Sequence, residues 1–167
     1  MASTAPFGFK VKQRIISFRG GTYDIFDQAT EQQLFVAKRK VFTLTPTIVI
    51  ENMQGQEVAR VKGNFFIGTK WKITQGADFI GMVKFPLIKF CGIKFDVELA
   101  GNHYMASDIL GWSFVARDVN GNIGFLLDKK VLRIKDTYKI EVYPPLEPVF
   151  ALAASLAIDI KFYQGNR

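Results

Sequence analysis

Between Val149 and Ile158 the chain reads VFALAASLAI, with no charged side chain and a single hydroxyl, on Ser155. A helix without a polar stripe must be surrounded on every side, by lipid or by protein. Spanning a bilayer takes about 20 predominantly apolar residues, and this run meets Asp159 and Lys161 well before that. Protein is therefore the expected surrounding. The wider segment, about 146–163, favours a helix opened by Pro144, Pro145 and Pro148 and closed by Gly165; proline suits a first helical turn and glycine a C-terminal cap. Ala151, Ala153, Ala154, Ser155 and Ala157 keep such a helix narrow, as a rod threaded through a barrel has to be.

The rest of the chain supplies the wall. Short segments rich in Val, Ile, Phe and Thr are separated by Gly, Asn, Asp and Gln, the pattern of an antiparallel sheet or barrel. In Phe9 to Ile16, the apolar Phe9, Val11 and Ile15 fall on one face and Lys10, Lys12 and Arg14 on the other, as a strand with one wet side requires. Comparable runs are Gln33 to Phe42, Thr47 to Asn52, Glu57 to Lys62, Lys70 to Thr74, Phe79 to Phe85, Ile93 to Leu99, His103 to Ile109, Trp112 to Asp118, Ile123 to Leu127, Lys130 to Ile134 and Tyr138 to Tyr143, about twelve strands in all. Asn120-Gly121 predicts a tight hairpin because both residues tolerate positive φ, and Gln54-Gly55 and Gly101-Asn102 do similar work. Gly20-Gly21 and Gly63-Asn64 read as isolated turn glycines. A faint internal repeat at an offset of ninety positions returns Lys40, Val41, Thr47 and Ile50 as Lys130, Val131, Thr137 and Ile140, suggesting repeated hairpin units.

A length of 167 residues fits one domain, 1–167, with residues 1–8 expected to be a flexible N-terminus, and a hydrophobic fraction of 49% with 16 Phe can fill its core. The lone Cys91 cannot form an internal disulfide, and with one His the chain lacks the ligands of a Cys/His zinc site. Together with an N-terminus that lacks a secretory pattern, this points to a cytoplasmic protein, able to sit peripherally at a membrane. No metal and no cofactor is expected. A net charge of +7 makes anionic partners plausible.

Five strings run in order along residues 14 to 163: Tyr23-Asp24-Ile25-Phe26-Asp27, Val58-Ala59-Arg60-Val61-Lys62, Asp118-Val119-Asn120-Gly121-Asn122, Lys135 to Val142, and Phe150 to Asp159. With these strings the chain resembles the LURP-one-related family, which shares the fold of the tubby C-terminal domain and the phospholipid scramblases. The resemblance implies a mainly β fold: a closed antiparallel barrel of about twelve strands enclosing the hydrophobic C-terminal helix.

Catalytic and metal chemistry finds no support. Asp118 to Asn122 has the start of a helix-loop-helix calcium loop, but Ile123 stands where its glycine is needed and Lys129 where its bidentate Glu is needed. His103 has Ser107 and Asp108 near it in sequence, but a triad is defined by geometry, and no nucleophile elbow accompanies them. Cys91 reads as a small apolar residue; scramblases resembling this fold carry a multi-cysteine palmitoylation segment that is missing here. No phosphate-cradling glycine motif is present.

The basic residues remain. Lys38 with Lys40, Arg60 with Lys62, and Lys70 with Lys72 each share one side of a strand. If neighbouring strands bring them together, they would converge on a phosphorylated headgroup. The candidate site is Lys38, Arg39, Lys40, Arg60 and Lys62. The expected function is a non-enzymatic module binding anionic phospholipid or phosphoinositide headgroups peripherally, with no transmembrane span. A protein-interaction or regulatory scaffold is the alternative, and scramblase-like lipid transport ranks third. Nucleic-acid binding ranks low, because the aromatics are mostly Phe that the core needs.

Overall fold

The computed structural model describes residues 5–16, 20–40, 43–64, 69–87, 92–109, 113–129 and 137–164. Alternation along the chain produces twelve antiparallel strands: β1 (Phe7–Ile16), β2 (Gly20–Asp27), β3 (Gln33–Lys40), β4 (Thr47–Asn52), β5 (Glu57–Gly63), β6 (Lys70–Gln75), β7 (Asp78–Lys84), β8 (Lys94–Leu99), β9 (Asn102–Ile109), β10 (Ser113–Arg117), β11 (Ile123–Asp128) and β12 (Thr137–Val142). Each strand pairs with its sequence neighbours, and β1 pairs with β12 from Phe7↔Val142 to Lys12↔Thr137. The ring is closed, so no edge strand is left with unpaired backbone groups.

Because successive strands reverse direction, their connections sort to two ends. The β2–β3, β4–β5, β6–β7, β8–β9 and β10–β11 turns lie at what we call the hairpin end; the β1–β2, β3–β4, β5–β6, β7–β8, β9–β10 and β11–β12 connections lie at the loop end. The helix α1 (Pro148–Asp159) enters from the hairpin end and runs up the barrel to a π-helical turn, Ile160–Gln164. Every residue from Ala151 to Asp159 is buried. Lacking a polar stripe, α1 has no other stable place. It packs most extensively against β5, whose buried residues Ala59, Val61 and Gly63 are small enough to let it approach.

Two groups of side chains fill the loop end. The Phe162 ring meets Phe85, Phe95 and Phe114 at centroid distances of 5.4, 5.5 and 5.1 Å, within the range where aromatic pairs attract beyond their area. Beside them, fully buried Asp159 forms an ion pair with Lys129 and accepts a hydrogen bond from the Tyr23 hydroxyl at 3.2 Å.

The strand total agrees with the sequence expectation, but the membership differs. Gly20 and Gly21, read from the sequence as turn glycines, begin β2, where they pair with Ile16 and Ile15. Gly63 closes β5, and an added Cβ there would lie 2.7 Å from Pro46 and 3.1 Å from Trp71, so close packing requires the glycine. The expected strand Lys130 to Ile134 lies outside the described residues, except that its neighbour Lys129 is described. Phe7 and Gly8, placed in the flexible N-terminus, are part of β1. At the β10–β11 turn only Gly121 has positive φ, 83°; the turn is longer than a two-residue hairpin because Asp118 and Asn122 close it. The ninety-residue repeat aligns β4 with β12. Thr47 and Thr137 each open a strand and are 4% and 7% exposed, and Ile50 and Ile140 are both core residues.

Candidate functional site: a lysine field on the β3–β7 exterior

Register determines which basic side chains meet. On β3, Lys38 and Lys40 are exposed, whereas Arg39 shares the face of buried Ala37 and is half-buried. The strands β3 and β5 are not neighbours; β4 lies between them. One row across the wall runs Lys38, Val49, Arg60. Val49, only 4% exposed, lies between Lys38 and Arg60 in this row. Both cations in this row are engaged. Lys38 Nζ lies 2.6 Å from Glu51 Oε2, and Arg60 donates through Nε and Nη2 to the two Glu57 oxygens at 3.0 and 2.7 Å. The bidentate Arg60 contact is the main reason the Glu57 carboxyl is held below its ordinary range; burial opposes this, and the nearby Lys40 charge adds to it.

The next row toward the loop end is different. Lys40, Thr47, Lys62 and Lys72 follow one another across β3, β4, β5 and β6, and Lys70 stands opposite Lys84 on β6 and β7. Directly opposed residues have Cβ atoms about 4.5–5.5 Å apart, where like charges destabilise a sheet. Among the described residues, Lys40, Lys62, Lys70, Lys72 and Lys84 form no ion pair. Lys72 alone has an aromatic contact, its Nζ lying 5.6 Å from the Phe79 centroid.

Of the five residues chosen from the sequence, the fold brings Lys40 and Lys62 into one row. Lys38 and Arg60 lie in the adjacent row with carboxylate partners, and Arg39 points to the other face. Sequence reasoning left out Lys72, Lys70 and Lys84. The first two had the right alternation, but only the register sets Lys72 against Lys62 and Lys84 against Lys70.

The other sequence candidates separate. His103 and Ser107 lie on the same strand, β9, four residues and so about 13 Å apart, too far for a nucleophile and its base. His103 Nε2 instead lies 2.9 Å from Asp96 Oδ1 on β8. Asp118 Oδ1 accepts from the Asn120 and Asn122 amides, both at 2.9 Å, which makes the carboxylate a turn brace. Cys91 lies outside the described residues. Among the described residues no cluster of His, Cys, Asp and Glu is suited to a metal, and no helix is long and apolar enough to cross a membrane.

A closed twelve-stranded antiparallel barrel wound around an apolar C-terminal helix defines a barrel of the tubby C-terminal-like class. Within that class the chain belongs to the LURP-one-related family, whose model matches residues 8–159. A crystal structure of an Arabidopsis thaliana protein superposes with a TM-score of 0.64 at 21% identity, covering 98% of this chain and 94% of that one; at that identity the likeness speaks for the fold. No curated protein matches the chain.

Proposed function

We propose that this barrel is a non-enzymatic module that binds anionic phospholipid headgroups, phosphoinositides foremost, on the β3–β7 exterior. One observation carries the reading: five lysines that form no ion pair among the described residues are gathered on β3, β5, β6 and β7, with Lys62 directly opposite Lys72, and Lys70 directly opposite Lys84, which has Asp96 across from it on its other side. An unliganded sheet gains nothing from such pairs. A phosphate group between opposed ammonium groups converts the repulsion into attraction, and several phosphates on one headgroup match several lysines. Membership of a family with the tubby-like fold is consistent with a lipid-binding role.

The test is co-sedimentation with vesicles containing phosphatidylinositol bisphosphate, phosphatidylserine or only neutral lipid, at low and physiological salt. A lysine near an anionic surface contributes about 1 kcal/mol, so Lys40→Ala/Lys62→Ala/Lys72→Ala should weaken binding by roughly a hundredfold. Lys38→Ala/Arg60→Ala should matter far less, because those cations already have carboxylates. Binding should fall steeply with salt. Equal or absent binding to all three lipids would leave a protein-interaction scaffold as the better reading. Scramblase-like transport draws no support from α1, whose twelve residues are enclosed by the wall.

A further inference from the structure

We infer that the loop end itself faces the bilayer, with Leu44 and Leu87 entering the boundary between headgroups and acyl chains while the lysine field engages the phosphates behind them. This rests on the headgroup reading above and adds to it an orientation and an apolar anchor.

Leu44, between β3 and β4, is 84% exposed, and Leu87, between β7 and β8, is 73% exposed. Isolated exposed leucines are ordinary on a protein surface. These two share one end of the barrel, and the wall between them is the stretch that carries Lys40, Lys62, Lys70, Lys72 and Lys84. From β3 to β7 is four strand spacings, about 19 Å along the wall. Lys40, Lys70 and Lys84 are the terminal residues of their strands on the loop side, and Lys62 is one residue from the end of β5. The ammonium groups therefore form a rim directly behind the two leucines. Among the described residues of the β3–β4, β5–β6 and β7–β8 connections there is no carboxylate.

The opposite end is the control that the molecule provides. Val119, 85% exposed, and Met53, 50% exposed, protrude there as well, but Val119 follows Asp118, and Asp27, Asp78 and Glu147 share that end. An anionic membrane repels it. Among the described residues, the β3–β7 side of the loop end sets exposed apolar tips beside a row of lysines, and interfacial segments of that character settle about 5–10 Å into the headgroup and acyl boundary.

Flotation with phosphatidylcholine vesicles, alone or with phosphatidylserine and phosphatidylinositol bisphosphate, combined with calorimetry against inositol 1,4,5-trisphosphate, tests the inference. Leu44→Ser/Leu87→Ser should bind acidic vesicles about a hundredfold more weakly, roughly tenfold per leucine, with trisphosphate binding unchanged. Val119→Ser should match wild type in both assays. If the leucine variant floats like wild type while Lys40→Ala/Lys62→Ala/Lys72→Ala loses vesicles and trisphosphate, the headgroup reading stands and the inserted leucines are overturned. If flotation depends on the leucines but on neither lysine nor lipid charge, the headgroup reading falls and insertion survives. Absence of flotation by the wild type overturns both.

Discussion

The two ends of the barrel are built on different principles. At the hairpin end the chain turns back within a few residues, and local hydrogen bonds fix the β2–β3, β4–β5 and β10–β11 turns. Asp27 Oδ1 accepts from the Ala29 and Thr30 amides, Asn52 Oδ1 from the Gln54 and Gln56 amides, and Asp118 Oδ1 from the Asn120 and Asn122 amides. At the loop end closure is long-range. Asp159, Lys129 and Tyr23 meet across the core, the hydroxyl-carboxylate contact joining residues 136 positions apart. At the hairpin end the Asp27 and Asp118 carboxylates are thus committed to backbone amides, while the loop end carries a row of lysines that form no ion pair among the described residues. The surface left free for an anionic partner lies beside the longer connections of the β3–β7 wall.

Breaking the loop end should have the largest effect. Asp159→Ala removes the carboxylate from a fully buried position and leaves Lys129 without it, and loss of one member of a buried pair costs about 3–5 kcal/mol. Because the Lys129 side chain is 19% exposed, the lower part of that range is expected from urea unfolding. Leu152→Ala, in the middle of α1, should cost about 2–5 kcal/mol in the same assay, an effect shared by both ends.

At the hairpin end the effects are smaller and local. Gly121 has φ 83°, and replacing it with Ala places a side chain in the left-handed region at about 1 kcal/mol. Ala100 already occupies that region, at φ 50°, so Ala100→Gly should raise the unfolding midpoint, by an amount below about 1 kcal/mol. The acid limb of stability tests this end further. Hydrogen bonds from Asn122 first, then Asn120 and Gly121, hold the Asp118 carboxyl below its ordinary 3.8, and Arg60 holds Glu57 below 4.5. A depressed folded-state value gives stability that is present above the unfolded value and lost as pH falls through the folded one. Unfolding midpoints should therefore drop below about pH 4, and Asp118→Asn should flatten that drop.

The smallest expected effect sharpens the comparison most. Lys62→Glu sets opposite charges where like ones face each other, and should stabilise the fold by a few tenths of a kcal/mol while weakening binding to anionic vesicles. A stabilised variant with undiminished binding would separate the lysine row from the ligand.

The barrel and its helix were legible because their periods differ so sharply. The Thr-, Ile- and Val-rich run of β4, Thr47–Asn52, matched the observed bounds, and the apolar run of α1 admitted only enclosure. The second strand escaped because Gly20-Gly21 looks like punctuation, and only pairing with β1 reveals it as sheet. Among the site residues, alternation alone already separates Arg39 from Lys38 and Lys40. What alternation cannot supply is which strand's lysine faces which, since Lys62↔Lys72 and Lys70↔Lys84 depend on turn lengths and on bulges such as the one between Ile73 and Thr74. The buried Asp159 looked like the end of an apolar run, because its partners lie far away in sequence.

The position of α1 in the chain also bears on how the protein is made. All twelve strands precede the helix that fills them, so during synthesis the wall is complete before its filling exists. Its inward faces must wait exposed, or be shielded by a chaperone, until α1 is released. Folding should therefore be a late, single event, slow in the way that contacts distant in sequence make it slow, and a chain shortened before Pro148 should collapse and aggregate instead of forming an empty barrel.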